Sequence, residues 1–374
     1  MIRFILFTKN QPRPAYSRHT NTSEQGINVK KNSLIIILFL LILPVFGISQ
    51  EASLGAGYKL LEKLKLGGEG GWDYLTYDTA AHRLYISRST HVQVVDADKK
   101  EVVGDIPNTT GVHGIALVPA LNRGFTSNGR DSSVTVFDLT TLKTIKTIKI
   151  DARNPDAIMY DPVSGRVFTF NGGSHNATAI DAQSDSVVGT IPLGDKPEFA
   201  VSDGKGMVYV NLEDSSMIVA IDARTLKVAN RWSIAPGEHP SGLAIDREHR
   251  RLFSGCDNKM MVVFDPDNGK VVTTVPIGEG VDATAFDPAT GLAFSSNGEG
   301  TLTVVHEDAP DKFTVIENDS TQRGARTMAL DPASHRVYLS TAEFGPPPAP
   351  TADRPHPRPS VVPGSFTIVI MGRK

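Results

Sequence analysis

Between Asn154 and Gly194, apolar and polar residues alternate in short runs separated by turn residues. Asp156–Tyr160 is a brief apolar run. Asp161-Pro-Val-Ser-Gly165 is a turn: Pro presets φ, and the Asp carboxylate can cap backbone N–H groups two residues on. Arg166–Phe170 alternates and is rich in β-branched and aromatic residues, which predicts a second strand. Asn171-Gly-Gly-Ser-His175 is a loop with two glycines able to take positive φ. Ala177–Asp181 is a third strand, Ala182–Asp185 a turn and Ser186–Ile191 a fourth strand. The period is close to two, whereas helical repeats of similar length show 3.6. With the strands lettered a to d, one such unit is too small to bury its own faces. Copies must stack, and a four-stranded repeat of about 40–45 residues is the signature of a propeller blade.

Variants of this unit recur six more times. Blade one runs over Gly71–Pro107, blade two over Gly111–Ile150, blade four over Lys196–Ala235 and blade five over His239–Gly278. Blade six, Gly280–Asp319, drifts in strands c and d, and blade seven starts at Gly324. Blade seven has only strands a, b and c in the C-terminal part, the last at Ser365–Gly372, while Tyr58–Leu66 ahead of blade one has the pattern of a strand d. The expectation is an all-β, seven-bladed β-propeller over residues 50–374, its ring closed by the N-terminal strand completing the last blade. Closure removes an open sheet edge. One insertion stands out in blade seven, the Pro-rich stretch Gly345–Gly364. Proline at that density cannot pair in a sheet and favours extended conformations. It reads as a solvated, semi-rigid loop, or as a lid or partner-binding arm made basic by Arg354, His356 and Arg358.

The first 49 residues differ from the rest. Lys30-Lys31 precede the apolar run Leu34–Phe46, and Gly47-Ile-Ser49 ends it with small residues. That predicts a secretory signal cleaved after Ser49. The run is short for a membrane span, which needs about 20 residues, so no span is expected after cleavage, with an uncleaved anchor as the alternative. Export places the mature protein outside the cell or in the periplasm.

Composition suits one large all-β domain, with 40% hydrophobic and 21% charged residues among 374. Residues 1–49 carry six Lys/Arg and one Asp/Glu, leaving 32 basic and 40 acidic residues, a formal net charge of −8. A uniformly basic phosphate-binding surface is therefore not indicated. Cys256 is alone, so no intrachain disulfide can form, and it reads as a small, semi-buried residue after strand b.

Candidate chemistry follows from the geometry of a blade. Connections d–a and loops b–c share one face; turns a–b and c–d share the other. The second face repeats itself: Asp78, Asp161, Asp246, Asp287 and Asp331 open a–b turns, and Asp96, Asp138, Asp181, Asp222 and Asp265 open c–d turns. Turn capping explains this. His82, His249 and His335 fall in a–b turns there and are expected to be solvated. The first face varies, as a face carrying function does. At the start of strand a the equivalent positions are Asp73, His113, Asp156, Glu198, Ser241, Asp282 and Arg326. Symmetry brings them into one ring at the channel mouth. Asp73, Asp156, Glu198 and Asp282, with the imidazole, would suit a divalent cation in the central channel. Arg326 would complement them or clamp an anionic group, and crowding would raise some carboxylate pKa values. The same ring equally suits a water-filled polar mouth. Arg130, His175 and Glu343 extend the surface at its periphery, and His239 opens blade five on the same face.

The segments Val208–Ala235 and Arg166–Gly194, with Tyr209-Val210-Asn211 matching directly, resemble the YVTN β-propeller repeat. From about Tyr58 to Arg373 the chain is similar to YncE-like secreted bacterial proteins. Blades two, five and six depart from the motif. The resemblance implies a seven-bladed propeller, export and a mostly unassigned function, with surface interaction and nucleic-acid binding as the roles proposed among relatives. Related propellers include lactonases and quinoprotein or haem-bearing subunits, but none of their functional residues has a matching motif here. The expected function is binding of a small ligand or a protein on the face bearing the ring and the Pro-rich loop, by a monomer. The alternatives are a lactonase-like metal-dependent hydrolase using the carboxylate ring, and single-stranded nucleic-acid binding, which the acidic balance disfavours.

Overall fold

The computed structural model describes residues 57–349, 357 and 359–373. The proposed signal and the middle of the Pro-rich loop, residues 350–356 and 358, with Arg354, His356 and Arg358, lie outside them. The described strands form seven four-stranded antiparallel sheets, six of them running a-b-c-d in chain order. The seventh has the order Lys59–Lys65, Thr367–Gly372, Arg336–Thr341, Thr327–Asp331, so the N-terminal strand supplies strand d of blade seven. It pairs antiparallel from Lys59 opposite Gly372 to Lys65 opposite Thr367. Among the described residues the only helix is a single 3-10 turn, Pro119–Leu121, and none is long and apolar enough to cross a membrane.

Apolar burial explains why seven units make one body. There are seven buried clusters, and each is shared by two adjacent blades. One joins Phe168, Ala177 and Ile191 of blade three to Val208, Val219 and Ile221 of blade four. Another joins Leu75, Leu84 and Ile86 of blade one to Tyr338, Phe366 and Ile368 of blade seven. Blade-to-blade contact is thus where apolar area leaves water, the dominant favourable term in folding. Strand d stays on the outside: Glu101–Ile106 is exposed at four of its six positions.

Polar residues at repeated positions lock the same interfaces. Arg83, Arg123 and Arg166 each open a strand b and donate to a c–d carbonyl in the next blade, to Leu139 at 2.8 Å, Ala182 at 2.9 Å and Ala223 at 2.5 Å. The turn aspartates cap as the sequence predicts; Asp78 Oδ1, for example, accepts from the backbone N–H of Ala80 at 3.0 Å and of Ala81 at 3.1 Å. In blades two, three and six strand b ends in a buried Asn whose amide donates to strand c. Asn128 reaches Ser133 and Thr135, Asn171 reaches Asn176 and Thr178, and Asn297 reaches Thr301 and Thr303. These Asn side chains therefore hold the b–c hairpin.

Closure carries two anchors. Tyr58 is 1% exposed, packs edge-on against Phe294 at 5.0 Å and donates its hydroxyl to the His335 carbonyl at 2.8 Å. Arg88, fully buried, donates to the carbonyls of Gly67, Glu69, Gly70 and Gly71 at 2.9–3.3 Å, and its guanidinium lies 3.8 Å from the Phe366 ring centroid. Burial lowers its pKa to about 10. A cation solvated by four carbonyls holds in place the connection that delivers Trp72 and Asp73 to the ring face.

Blade six departs from the rest for a visible reason. Its strands c and d, Thr301–Ala309 and Lys312–Ser320, are nine residues each and form a hairpin longer than in its neighbours. His306 pairs with Leu292 where blades one to four place the c–d aspartate opposite the start of strand b. The tip is gripped by Arg251 of blade five, which donates to the Pro310 carbonyl at 2.6 Å.

Candidate functional site

In blades two to six, strand a carries one extra residue against strand b just after its first pair. Val112 pairs Asn128 and Ile115 pairs Thr126; Pro155 pairs Asn171 and Ile158 pairs Thr169. The same shift follows Pro197, Pro240 and Val281. A bulge bends its strand and re-aims a side chain, and His113, Asp156, Glu198, Ser241 and Asp282 all sit in it. Asp73 and Arg326 occupy the same place just ahead of strands Leu75–Asp78 and Thr327–Asp331.

The ring converges, but as three separate groups. His113 Nδ1 lies 2.6 Å from Asp73 Oδ2 and 3.6 Å from Asp156 Oδ1. Lys196, which the sequence reading did not include, lies 2.8 Å from Glu198 and also pairs with Glu213. Arg326 Nε lies 3.2 Å from Asp282 Oδ2, and Ser241 Oγ donates to Asp282 at 3.1 Å. Asp73, His113 and Asp156 offer ligand atoms within 4.8 Å of one another. Glu198 and Asp282, also named as metal ligands from sequence, are outside that group, each held by a cation.

Four carboxylates face three cations here, and the pKa values show it. Burial by itself would lower the His113 pKa, but the hydrogen bond to Asp73 and the charges of Asp156 and Asp73 outweigh it, holding it at about 9. Burial raises Asp156 to about 6, with Asp73 and Asp282 adding to the effect against His113. Burial likewise raises Glu198 to about 8, against the hydrogen bond from Lys196. Asp282 is raised by burial, against Arg326. The expected upward shifts are present, with burial rather than crowding as the larger cause.

A further feature lies one residue beyond the ring. There the blades carry Tyr74, Gly114, Ala157, Phe199, Gly242, Ala283 and Thr327. Tyr74 of blade one and Phe199 of blade four are as far apart as a seven-membered ring permits, yet their ring centroids are 4.6 Å apart. The two aromatics therefore meet across the axis and floor the channel. Burial and then the charges of Asp156, Glu198, Asp73 and Asp282 raise the Tyr74 pKa. Two aromatics among small residues was the available signal. At a Gly114 Cβ the Ile158 side chain would be 2.7 Å away, so the small positions let neighbouring strands approach.

Two clefts flank Asp73 on this face. The larger, about 490 Å³, runs between blades six, seven and one; Trp72, Phe344, Pro359 and Val361 give it apolar walls, and Arg323, Arg326 and Asp73 give it charge. The Arg326 side chain is 52% exposed, and its Nη groups make no hydrogen bond among the described residues. The stem of the Pro-rich loop shapes this wall through the bridge between Phe344 and Val361. The smaller cleft, about 230 Å³, is lined by Trp72, Asp73, His113, Arg130 and Asn154. Of the peripheral candidates, Arg130 thus joins the ring. His175 and Glu343 are exposed and line neither cleft; nor does His239, whose backbone N–H donates to Ser216.

Three readings from sequence need correction. Cys256 is fully buried, not semi-buried, and burial pushes its thiol up to about 12, so it is inert. His335 and His249 are not simply solvated. His335 Nδ1 lies 2.6 Å from the buried Asp287, and His249 Nδ1 lies between Asp246 and Glu307. His82, half-exposed beside Asp98, fits the expectation.

No protein-family model matches the chain, and no curated protein matches its sequence. Solved structures match its shape. Hydrazine synthase of Kuenenia stuttgartiensis is similar at 17% identity and TM-score 0.63, over 73% of this chain and 93% of that one. A chain of the mitotic checkpoint complex is similar at 12% identity and TM-score 0.69, over 91% and 99%. The WD40 repeats of RRP9 are similar at 8% identity and TM-score 0.69, over 85% and 98%. At these identities the likeness is one of fold. The chain is a seven-bladed β-propeller.

Proposed function

We propose that the protein is an exported, YncE-like binding propeller whose ring face takes a small molecule with an apolar or aromatic body and an anionic group. The observation that carries this is the larger cleft, where Trp72, Phe344 and Val361 stand against Arg323 and Arg326. An amphipathic pocket with a few placed polar groups is the usual form of a small-molecule site. Guanidinium groups with open N–H donors are suited to planar anions. Export rests on the apolar run Leu34–Phe46 behind Lys30-Lys31, and the family reading rests on the YVTN-like repeats.

The anionic aromatic probe 8-anilinonaphthalene-1-sulfonate tests the site through its own fluorescence and through Trp72. Saturable binding is expected, weakened about tenfold in Arg326→Gln, the loss of about 1.4 kcal/mol that one charge-assisted contact supplies. Equal binding by wild type and Arg326→Gln overturns the reading.

One observation favours a second reading, a hydrolase: Asp156, raised to about 6 beside His113, is poised for proton transfer near neutrality. A cation in the ring would have to displace the Asp73–His113 hydrogen bond, since an imidazolium is no ligand. Hydrolysis of a simple lactone that persists in Asp156→Asn removes this reading.

A further inference from the structure

On the face opposite the ring, three residues from two blades converge. Asp246 opens the a–b turn of blade five, capping the backbone N–H of Glu248 at 2.9 Å and of His249 at 3.0 Å. Its Oδ2 also lies 2.8 Å from His249 Nδ1. Glu307 comes from the lengthened hairpin of blade six, and its Oε1 lies 3.0 Å from the same nitrogen. Asp246, His249 and Glu307 offer ligand atoms within 4.8 Å of one another.

Glu307 is the anomaly. Its side chain is 3% exposed, and neither carboxylate oxygen has a hydrogen-bond partner. Its distance to His249 lies within ion-pair range without the geometry of a hydrogen bond. Nδ1 carries one proton or one lone pair, so it cannot serve two carboxylates. The neighbouring cation is already engaged: Arg251 donates to Pro310 at 2.6 Å and to the carbonyls of His249 and Arg250 at 3.0 Å. A buried carboxylate without a donor costs several kcal/mol of effective desolvation. The turn is already capped by Asp246 and does not require Glu307.

We propose that Asp246, His249 and Glu307 form a binding site for a first-row divalent cation of the Zn²⁺ type, which pins the blade-six hairpin to blade five. Two carboxylate oxygens and one imidazole nitrogen form a donor set that suits such ions, whereas Ca²⁺ and Mg²⁺ favour all-oxygen shells. Bonds of about 2.0–2.2 Å from one ion need ligand atoms roughly 3–4 Å apart, the spacing this cluster reaches with small side-chain movements. His249, 44% exposed, leaves one side open to water for the remaining position. Burial and then the charge of Asp246 raise Glu307 to about 7, so a proton is the competing occupant.

Isothermal titration of Zn²⁺ into the chelator-stripped protein tests this. One equivalent is expected in the wild type and in His113→Ala, with at least a hundredfold weaker binding in Glu307→Gln and His249→Ala. Glu307→Gln keeps the shape and removes the orphaned charge, so its metal-free melting temperature should equal or exceed that of the wild type. Absence of Zn²⁺ binding to the wild type overturns the proposal, as does binding that survives Glu307→Gln. Binding lost in His113→Ala but kept in His249→Ala also overturns it, because the cation would then sit in the ring.

Discussion

Two imidazoles in this propeller each face two carboxylates through Nδ1, His113 on the ring face and His249 on the turn face. At His113 the nearer carboxylate is hydrogen-bonded at 2.6 Å and the farther lies at 3.6 Å. Lys196 and Arg326 hold the remaining acids of the ring. At His249 the two carboxylates are nearly equidistant, at 2.8 and 3.0 Å, and both are buried, but Glu307 has no hydrogen-bond donor. Similar ligand types thus give different chemistry. A ring in which cations are distributed among the acids is a proton-holding network. A site with one orphaned carboxylate invites a cation.

The largest effect that distinguishes them is loss of the imidazole. His113→Ala leaves Asp73 and Asp156 facing each other without a cation and should cost about 3 kcal/mol, the range for breaking a buried pair, read from urea unfolding. His249→Ala in metal-free protein should cost less, about 1 kcal/mol, because the His249 imidazole is 44% exposed and its charge is screened by solvent. Equal losses would break the comparison.

The pH dependence comes next. His113, Asp156 and Glu198 all have native pKa values above their ordinary ones, about 9, 6 and 8. Each therefore binds more protons folded than unfolded, and the stability it contributes at low pH is lost as pH rises through its native value. The loss runs from about 3.8 to 6 for Asp156, from 4.5 to 8 for Glu198 and from 6.5 to 9 for His113. The melting temperature should fall by several degrees between pH 5 and 9, and the slope should flatten in Glu198→Gln. An unchanged slope in that variant would show that Glu198 does not share the network.

A smaller effect belongs to the turn face. Glu307→Gln should stabilise the metal-free protein by about 1 kcal/mol, because an unsatisfied buried charge is replaced by a neutral amide. Destabilisation by that amount would mean that Glu307 already has a partner. Smallest of all, Arg326→Gln should move stability by no more than about 0.5 kcal/mol, since its guanidinium is half in solvent. Thermal unfolding separates this from its larger effect on ligand binding.

Much of this was legible in the chain. The Asp that opens the a–b turn in five blades, the Gly/Asn/Ser loops and the period of two mark the repeat, and Tyr58–Leu66 has the alternation of the missing strand. The seven ring residues could be placed by alignment alone, because equivalent positions in a closed ring face a common axis. Arg88 could not: as one Arg after strand b it looks like any surface cation, and only the chain closing over it makes it an anchor. Glu307 was hidden because blade six departs from the repeat at that point, so no alignment assigned it an equivalent.

Sequence alone determined the number of blades, their order, the closing strand and the identity of the residues at the channel mouth. All of these follow from turn chemistry and alternation, which act over a few residues. Tertiary structure alone decided which ring acid meets which cation, that Tyr74 and Phe199 floor the channel, and that Glu307 is buried beside His249. Those outcomes depend on bulges, side-chain reach and an extended hairpin, which bring together residues 40 to 125 positions apart and leave no periodic trace.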